Sequence, residues 1–343
     1  MTVLVLGLLA AGCSASADPP EVNASIDASV TDSGEEVTTT TTEAAPSTTT
    51  SPPTTATEST TTTTTVELPV AAETAFNGRA IPPTVDSAES AAALFVEVER
   101  ALRIDGQDDL AYAELGHTEQ VLIRSIMRNP DWIEPFLAAL PDDLRPFGEL
   151  HIEARSQLSM LHAGWTPTDN IPAWTIIEPE PLDQLVSHYQ SASEQTGIDW
   201  PILAGINLVE TGMGRIDGVS SAGAQGPMQF LPTTWPEVSQ GGDVTDPEDA
   251  IHGAARYLVQ RGGLDDIRAG LWGYNNSDYY GNAVLAYAEM IRLDERSLRG
   301  FYNWEIYVGS AEGTLWLPVG FSLDEVGSAR EYLAENPWAK TLS

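Results

Sequence analysis

Basic residues are scarce in this sequence. Its 343 residues include 16 Lys and Arg against 50 Asp and Glu, which gives a formal net charge of −34. Lys340 is the only lysine, and no basic residue precedes Arg79. Such a negative field repels phosphates, so we expect no nucleic-acid partner. A P-loop is excluded because its lysine is missing. The acidity itself is interpreted as a solubility or salt-habitat trait.

Cysteine occurs once, at Cys13, which excludes an intramolecular disulfide and a Cys-rich zinc site. The five histidines form no HExxH motif or close pair, so the sequence gives no support to zinc hydrolysis. The remaining candidate chemistry therefore belongs to carboxyl, amide, hydroxyl and aromatic side chains.

Long apolar runs are also lacking near Cys13. The run from Val3 to Ala11 is far shorter than the ~20 residues that span a bilayer, so it is interpreted as a secretion signal. The sequence Ala-Ala-Gly-Cys that ends at Cys13 resembles a bacterial lipobox. We therefore predict a signal peptide at residues 1–12 and lipid attached to Cys13. This predicts a lipoprotein on the outer face of the cytoplasmic membrane or in the cell wall, with ordinary secretion as the alternative.

Large apolar residues are rare from Ser14 to Val85. Thr accounts for 17 of the 28 residues between Thr38 and Thr65. Such a composition buries too little surface to offset its chain entropy, so residues 13–85 are predicted to form a disordered tether. A tether of this length would let an anchored domain work within a surrounding polymer.

Helical apolar spacing begins near Asp86, where Ala92, Phe95 and Leu102 share one face. We predict a helical module over residues 86–175. No acid/base or metal constellation is visible in residues 86–165, so we expect these side chains to pack, with a recognition surface as the alternative.

A second helical block has clear helix-start signals. Asp199 and Asp246 each come just before a proline that suits the first helical turn, so each is predicted to N-cap a helix. A last helix is predicted from Tyr280 to Leu293. In the extension at residues 296–343, alternating segments on both sides of a short turn predict a β-hairpin. The predicted fold class is mainly α with a small C-terminal β element.

Glu210 is the unusual residue of this block. It ends a run of apolar residues that begins at Ile202, just before a Gly-rich turn. A carboxylate on the last turn of a buried helix faces the negative end of the helix dipole and loses water. Both effects predict a raised pKa, which a general acid needs near neutral pH. A solvated Glu at a helix end is the alternative.

Two further segments could form a saccharide site with Glu210. Residues 220–232, SSAGAQGPMQFLP, are small enough to let backbone amides approach a bulky ligand, and Gln229 can both donate and accept hydrogen bonds. Residues 271–276, LWGYNN, offer aromatic faces and amides that suit sugar rings. Each segment alone could be a plain turn. Together, and in this order along the chain after Glu210, they favour a saccharide-binding site.

Glu210-Thr211, the segment GAQGPMQ at residues 223–229, and Tyr274-Asn275 resemble the three motifs of the soluble lytic transglycosylases. These bacterial enzymes are related to goose-type lysozymes, and the resemblance covers residues 182–293. It implies a lysozyme-like α+β domain over residues 176–295, peptidoglycan strands as the partner, and no metal or organic cofactor.

The resemblance also implies roles for individual residues. Glu210 would be the catalytic acid and base. The implied saccharide-binding residues are Ser220, Met228, Gln229, Tyr274 and Asn275, with Asn275 also supporting its loop. The usual motifs read Glu-Ser, Gly-Leu-Met-Gln and Ala-Tyr-Asn, so Thr211, Pro227 and Gly273 are departures.

Glycosidases normally use two carboxyl groups, and no second acid lies within the three motifs. The resemblance implies that the substrate's acetamido group and 6-hydroxyl replace the second carboxylate and the water, which gives a 1,6-anhydromuramic product. One alternative is a hydrolytic muramidase in which Asp217 or Asp243 positions water. Another is a protein that binds peptidoglycan without cutting it.

Overall fold

The computed structural model describes residues 74–340, so the predicted signal peptide, the lipidated Cys13 and most of the predicted tether lie outside the described residues. Within residues 74–340 the chain forms twelve α-helices and six short strands, which confirms the prediction of a mainly α fold. None of the described helices has the length and apolarity that a membrane crossing requires.

The helices are α1 (Ala88–Leu102), α2 (Asp109–Arg128), α3 (Ile133–Ala139), α4 (Arg145–Leu161), α5 (Leu182–Thr196), α6 (Trp200–Thr211), α7 (Trp235–Val238), α8 (Pro247–Gln260), α9 (Ile267–Tyr274), α10 (Asp278–Leu293), α11 (Ser297–Tyr302) and α12 (Ala329–Glu335). The strands are β1 (Asn170–Ile171), β2 (Trp174–Ile176), β3 (Ile216–Gly218), β4 (Ile306–Ser310), β5 (Gly313–Leu317) and β6 (Gly327–Ser328).

The first four helices share their hydrophobic core with the later helices. Phe95 on α1, Ile123 on α2 and Phe136 on α3 are fully buried in a cluster that continues through Val209 to Phe301. Helix α4 packs along α10. The predicted helical module is therefore built into the same core as the predicted catalytic domain.

Helix α6 is enclosed by other helices. Eleven of its twelve residues are buried, as expected for a helix that is apolar on all sides. Helices α5, α8 and α10 pack around it. Asp199 occupies the predicted N-cap position, but its carboxylate accepts a hydrogen bond from Arg292 Nε at 2.6 Å instead of from the first-turn amides.

The other two predicted helices of this block are present. The Asp246 side chain accepts a hydrogen bond from the Asp249 amide at 3.0 Å, which confirms it as the N-cap of α8. The last predicted helix corresponds to α10, which begins at Asp278, two residues earlier than predicted.

The strands form three antiparallel pairs: β1 with β6, β2 with β3, and β4 with β5. The last pair is the predicted hairpin. Tyr307 and Trp316 of the hairpin, and Trp304 just before it, are all buried and close the core. The pair of β2 and β3 places the passage before α5 beside the segment that follows α6.

Residues 74–85, which precede the predicted start of the folded part at residue 86, pack against the hairpin. Ala75 is buried with Trp316, and the Phe76 ring lies 5.7 Å from that of Trp338. Arg79 forms an ion pair with the buried Glu305 at 3.0 Å. Residues 74–85 are therefore part of the fold rather than of the predicted tether, because an apolar side chain and a charge pair hold them to the hairpin.

Candidate active site

Glu210 is the second-last residue of α6, on a backbone that is fixed by the helix end. Gly212 adopts a left-handed conformation with φ +61°, and its amide donates to the Leu208 carbonyl at 3.1 Å. The Met213 amide donates to the Asn207 carbonyl at 3.1 Å. These bonds close the last turn, so the side chain of Glu210 projects from a rigid element.

The carboxyl group of Glu210 is almost removed from water, since the residue is only 4% exposed. The Tyr280 hydroxyl donates a hydrogen bond to Oε1 at 2.7 Å, and the structure gives this carboxyl group no other hydrogen bond within residues 74–340. Burial raises the pKa of Glu210 to about 8, against the smaller lowering effect of Tyr280. The predicted raised pKa is confirmed, and the group holds its proton at neutral pH.

A loop at residues 226–229 is bonded directly to α6. The Pro227 carbonyl accepts hydrogen bonds from Thr211 Oγ1 at 2.7 Å and from Asn207 Nδ2 at 2.9 Å. The Tyr189 hydroxyl donates to Asn207 Oδ1 at 2.6 Å and so fixes the amide. Two motif departures therefore meet here: Thr211 supplies the hydroxyl that Ser would supply, and Pro227 uses only its carbonyl.

The conformation of this loop depends on Gly226 and Gln229. At Gly226, φ is +71° and a Cβ atom would lie 1.8 Å from the Val244 carbonyl oxygen, so no other residue fits. Gln229 has φ +49°, and its Nε2 donates to the Gly226 carbonyl at 3.0 Å. The side chain of Gln229 is half-buried and remains a candidate saccharide contact.

Ser220 and Met228, two of the predicted saccharide-binding residues, are both buried. Ser220 is buried, and its Oγ accepts hydrogen bonds from the amides of Ala224 at 3.0 Å and Ala222 at 3.3 Å, which closes a tight turn. The side chain of Met228 is fully buried in the main core. Ser220 therefore closes its own turn and Met228 packs in the core, and the saccharide-binding roles that the resemblance implies for them stay predictions.

Tyr274 joins helix α9 to the same loop. Its hydroxyl donates to the Met228 carbonyl at 2.7 Å, and its ring lies parallel to that of Tyr280 with 6.2 Å between centroids. Asn275 follows as the C-cap of α9, and its buried Nδ2 has no hydrogen-bond partner among the described residues. At Gly273, a Cβ atom would lie 2.8 Å from the Arg261 side chain, which explains why glycine replaces the alanine of the usual motif.

Exposed apolar side chains lie on or next to the segments that carry the motifs. Val219, Trp272 and Tyr279 are each at least 40% exposed. A cavity of about 190 Å³ also borders this region, and its lining includes Asp217 and Pro227. Apolar faces beside hydrogen-bonding groups are the surface that a sugar polymer needs.

One cluster in the described part has metal-ligand geometry: Glu99, Glu119 and His151, with one ligand atom from each within 4.8 Å of the others. The expectation that residues 86–165 hold no such constellation is wrong, because α1, α2 and α4 bring together residues that are far apart in sequence. Arg103 pairs with Glu99, and Trp304 Nε1 donates to Glu119 at 2.7 Å.

A protonated histidine offsets the negative charge of this cluster. Burial lowers the pKa of His151, but the adjacent carboxyl groups of Glu119 and Glu99 outweigh this effect and raise the pKa to about 9. His151 is therefore an imidazolium between two carboxyl groups, at 3.5 and 3.6 Å. We assign the cluster to a buried ion-pair network that joins α1, α2 and α4.

Three site residues were not identified from the sequence: Tyr189, Asn207 and Tyr280. Asn207 did carry a signal, since it is the one polar residue in the apolar run from Ile202 to Val209. Tyr189 and Tyr280 lie on α5 and α10, and neither has a local pattern that distinguishes it from a core aromatic residue.

A comparison with protein families identifies one domain. Residues 187–288 match the family model of the transglycosylase SLT domain. The match includes Glu210, the loop at residues 226–229 and both Tyr274 and Tyr280. Comparisons with curated proteins and with solved structures found no match.

Proposed function

We propose that the chain is a soluble lytic transglycosylase with Glu210 as its catalytic acid and base, because residues 187–288 match the SLT domain of a family of lyases that act on peptidoglycan. The bond cleaved would be the β-1,4 bond between N-acetylmuramic acid and N-acetylglucosamine. The observation that carries this proposal is the buried carboxyl group, whose pKa of about 8 keeps a proton ready at neutral pH. General acid–base catalysis of this kind contributes roughly 10²–10⁴-fold to the rate.

The reaction would consume no water. Glu210 gives its proton to the glycosidic oxygen as the bond between that oxygen and C1 of the muramic acid breaks. It then takes the proton of the 6-hydroxyl of the same sugar as that oxygen bonds to C1. The carboxyl group is restored, and the new end is a 1,6-anhydromuramic ring.

The surroundings of Glu210 favour this route over hydrolysis. A hydrolytic site needs a second carboxylate to activate water or stabilise the intermediate. Tyr280 is the hydrogen-bond partner that the structure gives Glu210 in the described chain. Asp243 is engaged elsewhere, since its Oδ1 accepts from both the amide and the hydroxyl of Thr245. Asp217 is exposed on β3.

Release of soluble fragments from purified peptidoglycan tests the catalytic role. We expect release by the wild-type chain and none by Glu210→Gln, although this variant still sediments with the insoluble wall. Asp217→Asn and Asp243→Asn are matched controls that remove other carboxylates, and both should retain activity.

Two results would support the alternatives. Loss of release in one of the aspartate variants, together with products that carry free reducing ends, would indicate a muramidase with a water-positioning acid. Sedimentation of the wild-type chain with the wall without any release would indicate a binding protein.

We also propose that the chain is exported and anchored through lipid on Cys13, so that the enzyme works from the outer face of the cytoplasmic membrane. The lipobox-like sequence supports this proposal. Labelling of bacterial cells with a radioactive fatty acid should mark the wild-type chain in the membrane fraction. Cys13→Ser should lose the label and leave the membrane, whereas a labelled Cys13→Ser chain would contradict the anchor.

A further inference from the structure

Two arginines line a cavity on the inner side of α6, in a chain that has few basic residues. The cavity measures about 40 Å³ and lies where α2, α4 and α6 meet the hairpin. Arg124 comes from α2 and Arg155 from α4. Leu208 and Val209 of α6 form part of the opposite lining, just before Glu210.

Several N–H groups at this cavity have no partner. Arg124 is only 6% exposed, yet its Nε and Nη1 make no hydrogen bond among the described residues. The buried Nε of Arg155 also makes none. An unsatisfied buried donor costs roughly 1–3 kcal/mol, and more when it is charged.

Neither arginine has a carboxylate partner in the described part of the chain, although nearby arginines do. Arg79 pairs with Glu305 at 3.0 Å, and Arg215 pairs with Glu178 at 3.4 Å. Burial lowers the pKa of Arg124 well below its usual value, and the positive charge of Arg155 lowers it further. Arg124 is buried and Arg155 is half-buried, and two like charges that face one cavity in this way need a counter-charge.

The other polar groups at the cavity do not supply that charge. The Arg124 guanidinium lies 4.5 Å from the centre of the Tyr307 ring, a cation–π contact that offsets only part of the cost. Glu305 also borders the cavity, but its carboxylate accepts from Trp316 Nε1 at 3.1 Å and pairs with Arg79. The remaining titratable side chain of the lining is the Tyr287 phenol.

We propose that this cavity is a binding site for a small inorganic anion of chloride size, held between Arg124 and Arg155. The cavity is large enough, because on the order of 10–15 Å³ already holds one water molecule and the volume here is several times that. A bound halide would accept hydrogen bonds from the unpartnered N–H groups. Its negative charge would offset the repulsion between Arg124 on α2 and Arg155 on α4. It would thereby brace the inner side of α6. The inference does not depend on the catalytic role of Glu210.

Thermal unfolding of the full chain in sodium gluconate, with chloride replacing gluconate at constant sodium concentration, tests the site in solution. Constant sodium keeps the general screening of the acidic surface unchanged, and gluconate is too large for the cavity. We expect the midpoint temperature to rise and then saturate as chloride is added. Arg155→Met should lose this rise, whereas Arg128→Met, which removes an arginine one turn further along α2, should keep it.

Crystals of the wild-type chain soaked in bromide provide a test that does not depend on how a variant folds. We expect an anomalous peak between the guanidinium groups of Arg124 and Arg155. Two results would overturn the proposal: an absent peak, or a peak at crystal soaking concentrations combined with a midpoint that is equal in chloride and gluconate. The second result would mean that bromide binds at crystal concentration only.

Discussion

Two opposing effects set the pKa of the Glu210 carboxyl group. It is buried deeply enough to keep its proton at neutral pH, yet one hydrogen bond from Tyr280 stabilises the charged form. In the proposed reaction Glu210 has to lose a proton and regain it in one catalytic cycle. Neither its protonated nor its ionised form can therefore be too stable. We therefore propose that Tyr280 positions the carboxyl group of Glu210 and tunes its pKa.

The pH dependence of activity follows from the direction of this pKa change. In the proposed reaction the active form is the protonated acid, so kcat/KM should fall as the pH rises through about 8. Tyr280→Phe removes the hydrogen bond that favours the carboxylate, so the falling limb should move to higher pH by about one pH unit or less. Rates measured on soluble glycan fragments over a pH series give the pH midpoint of the falling limb, which does not depend on the maximal rate. A limb that stays in place, or moves to lower pH, would contradict this role for Tyr280.

At this scale the sequence predicts the acid but not its surroundings. Glu210 stands out because a carboxylate ends an apolar run, and that pattern already implies desolvation. Tyr280 and Tyr189 approach from other helices, so no local spacing indicates them. Ser220 and Met228 have the residue types of a binding site, and the sequence did not indicate that both are buried.

At the scale of elements, hydrogen bonds from α6 to the Pro227 carbonyl fix the position of the loop at residues 226–229. Thr211 and Asn207 donate to the Pro227 carbonyl from successive turns of the helix. Tyr274 holds the next carbonyl, that of Met228, from α9. Three side chains thus align the loop with the helix that carries Glu210.

Thr211→Val keeps the shape of the side chain but removes its hydroxyl. The Pro227 carbonyl and the Gly214 amide each lose a hydrogen bond, so we expect a loss of roughly 1–3 kcal/mol in the free energy of unfolding. Activity should also fall, because the loop moves relative to Glu210. Denaturant unfolding and rate measurements should show both effects, and Thr211→Ser should restore them. Equal behaviour of the Ser and Val variants would mean that the hydroxyl does not hold the loop.

Gly226 and Gly223 form a matched pair for testing the close approach of this loop to Val244. Both have positive φ, but a Cβ atom at Gly223 meets nothing within 4 Å. Gly226→Ala adds a clash with the Val244 carbonyl to the same backbone strain. Its free energy of unfolding should therefore fall by roughly 1–3 kcal/mol more than that of Gly223→Ala. Equal losses in denaturant unfolding would show that the clash relaxes without cost.

Elements with local start signals were predictable, whereas elements that need a distant partner were not. Asp246 and the proline after it mark α8 on their own. Strands β1 and β2 are only two and three residues long, and they pair with segments far along the chain. Their sequence therefore carries no alternation that would distinguish them from a loop.

At the scale of the whole molecule, the described chain is organised around one main hydrophobic cluster with smaller clusters beside the hairpin. The boundary predicted at residue 86 came from composition, because residues 74–85 lack helical periodicity. The structure instead shows burial of Ala75 and an ion pair from Arg79 to Glu305. Such long-range contacts leave no mark on local composition.

A chain that begins at residue 74 should therefore be more stable than one that begins at residue 86. The shorter chain uncovers Trp316 and leaves the buried Glu305 without Arg79. Removal of one member of a buried ion pair costs roughly 3–5 kcal/mol. Denaturant unfolding of both chains measures the difference, and Arg79→Met in the longer chain isolates the share of the ion pair. Equal stability of the two chains would show that residues 74–85 contribute nothing to the fold.

We propose above that Glu210 cleaves peptidoglycan strands without consuming water. The most direct measurement is a digestion of purified peptidoglycan by the full chain in water enriched in heavy oxygen, followed by mass spectrometry of the products. We predict muramic acid ends that are one water lighter than hydrolysis products and carry no heavy oxygen, and no such products with Glu210→Gln. Muramic acid ends at full mass that carry heavy oxygen would contradict the claim and identify the enzyme as a hydrolase.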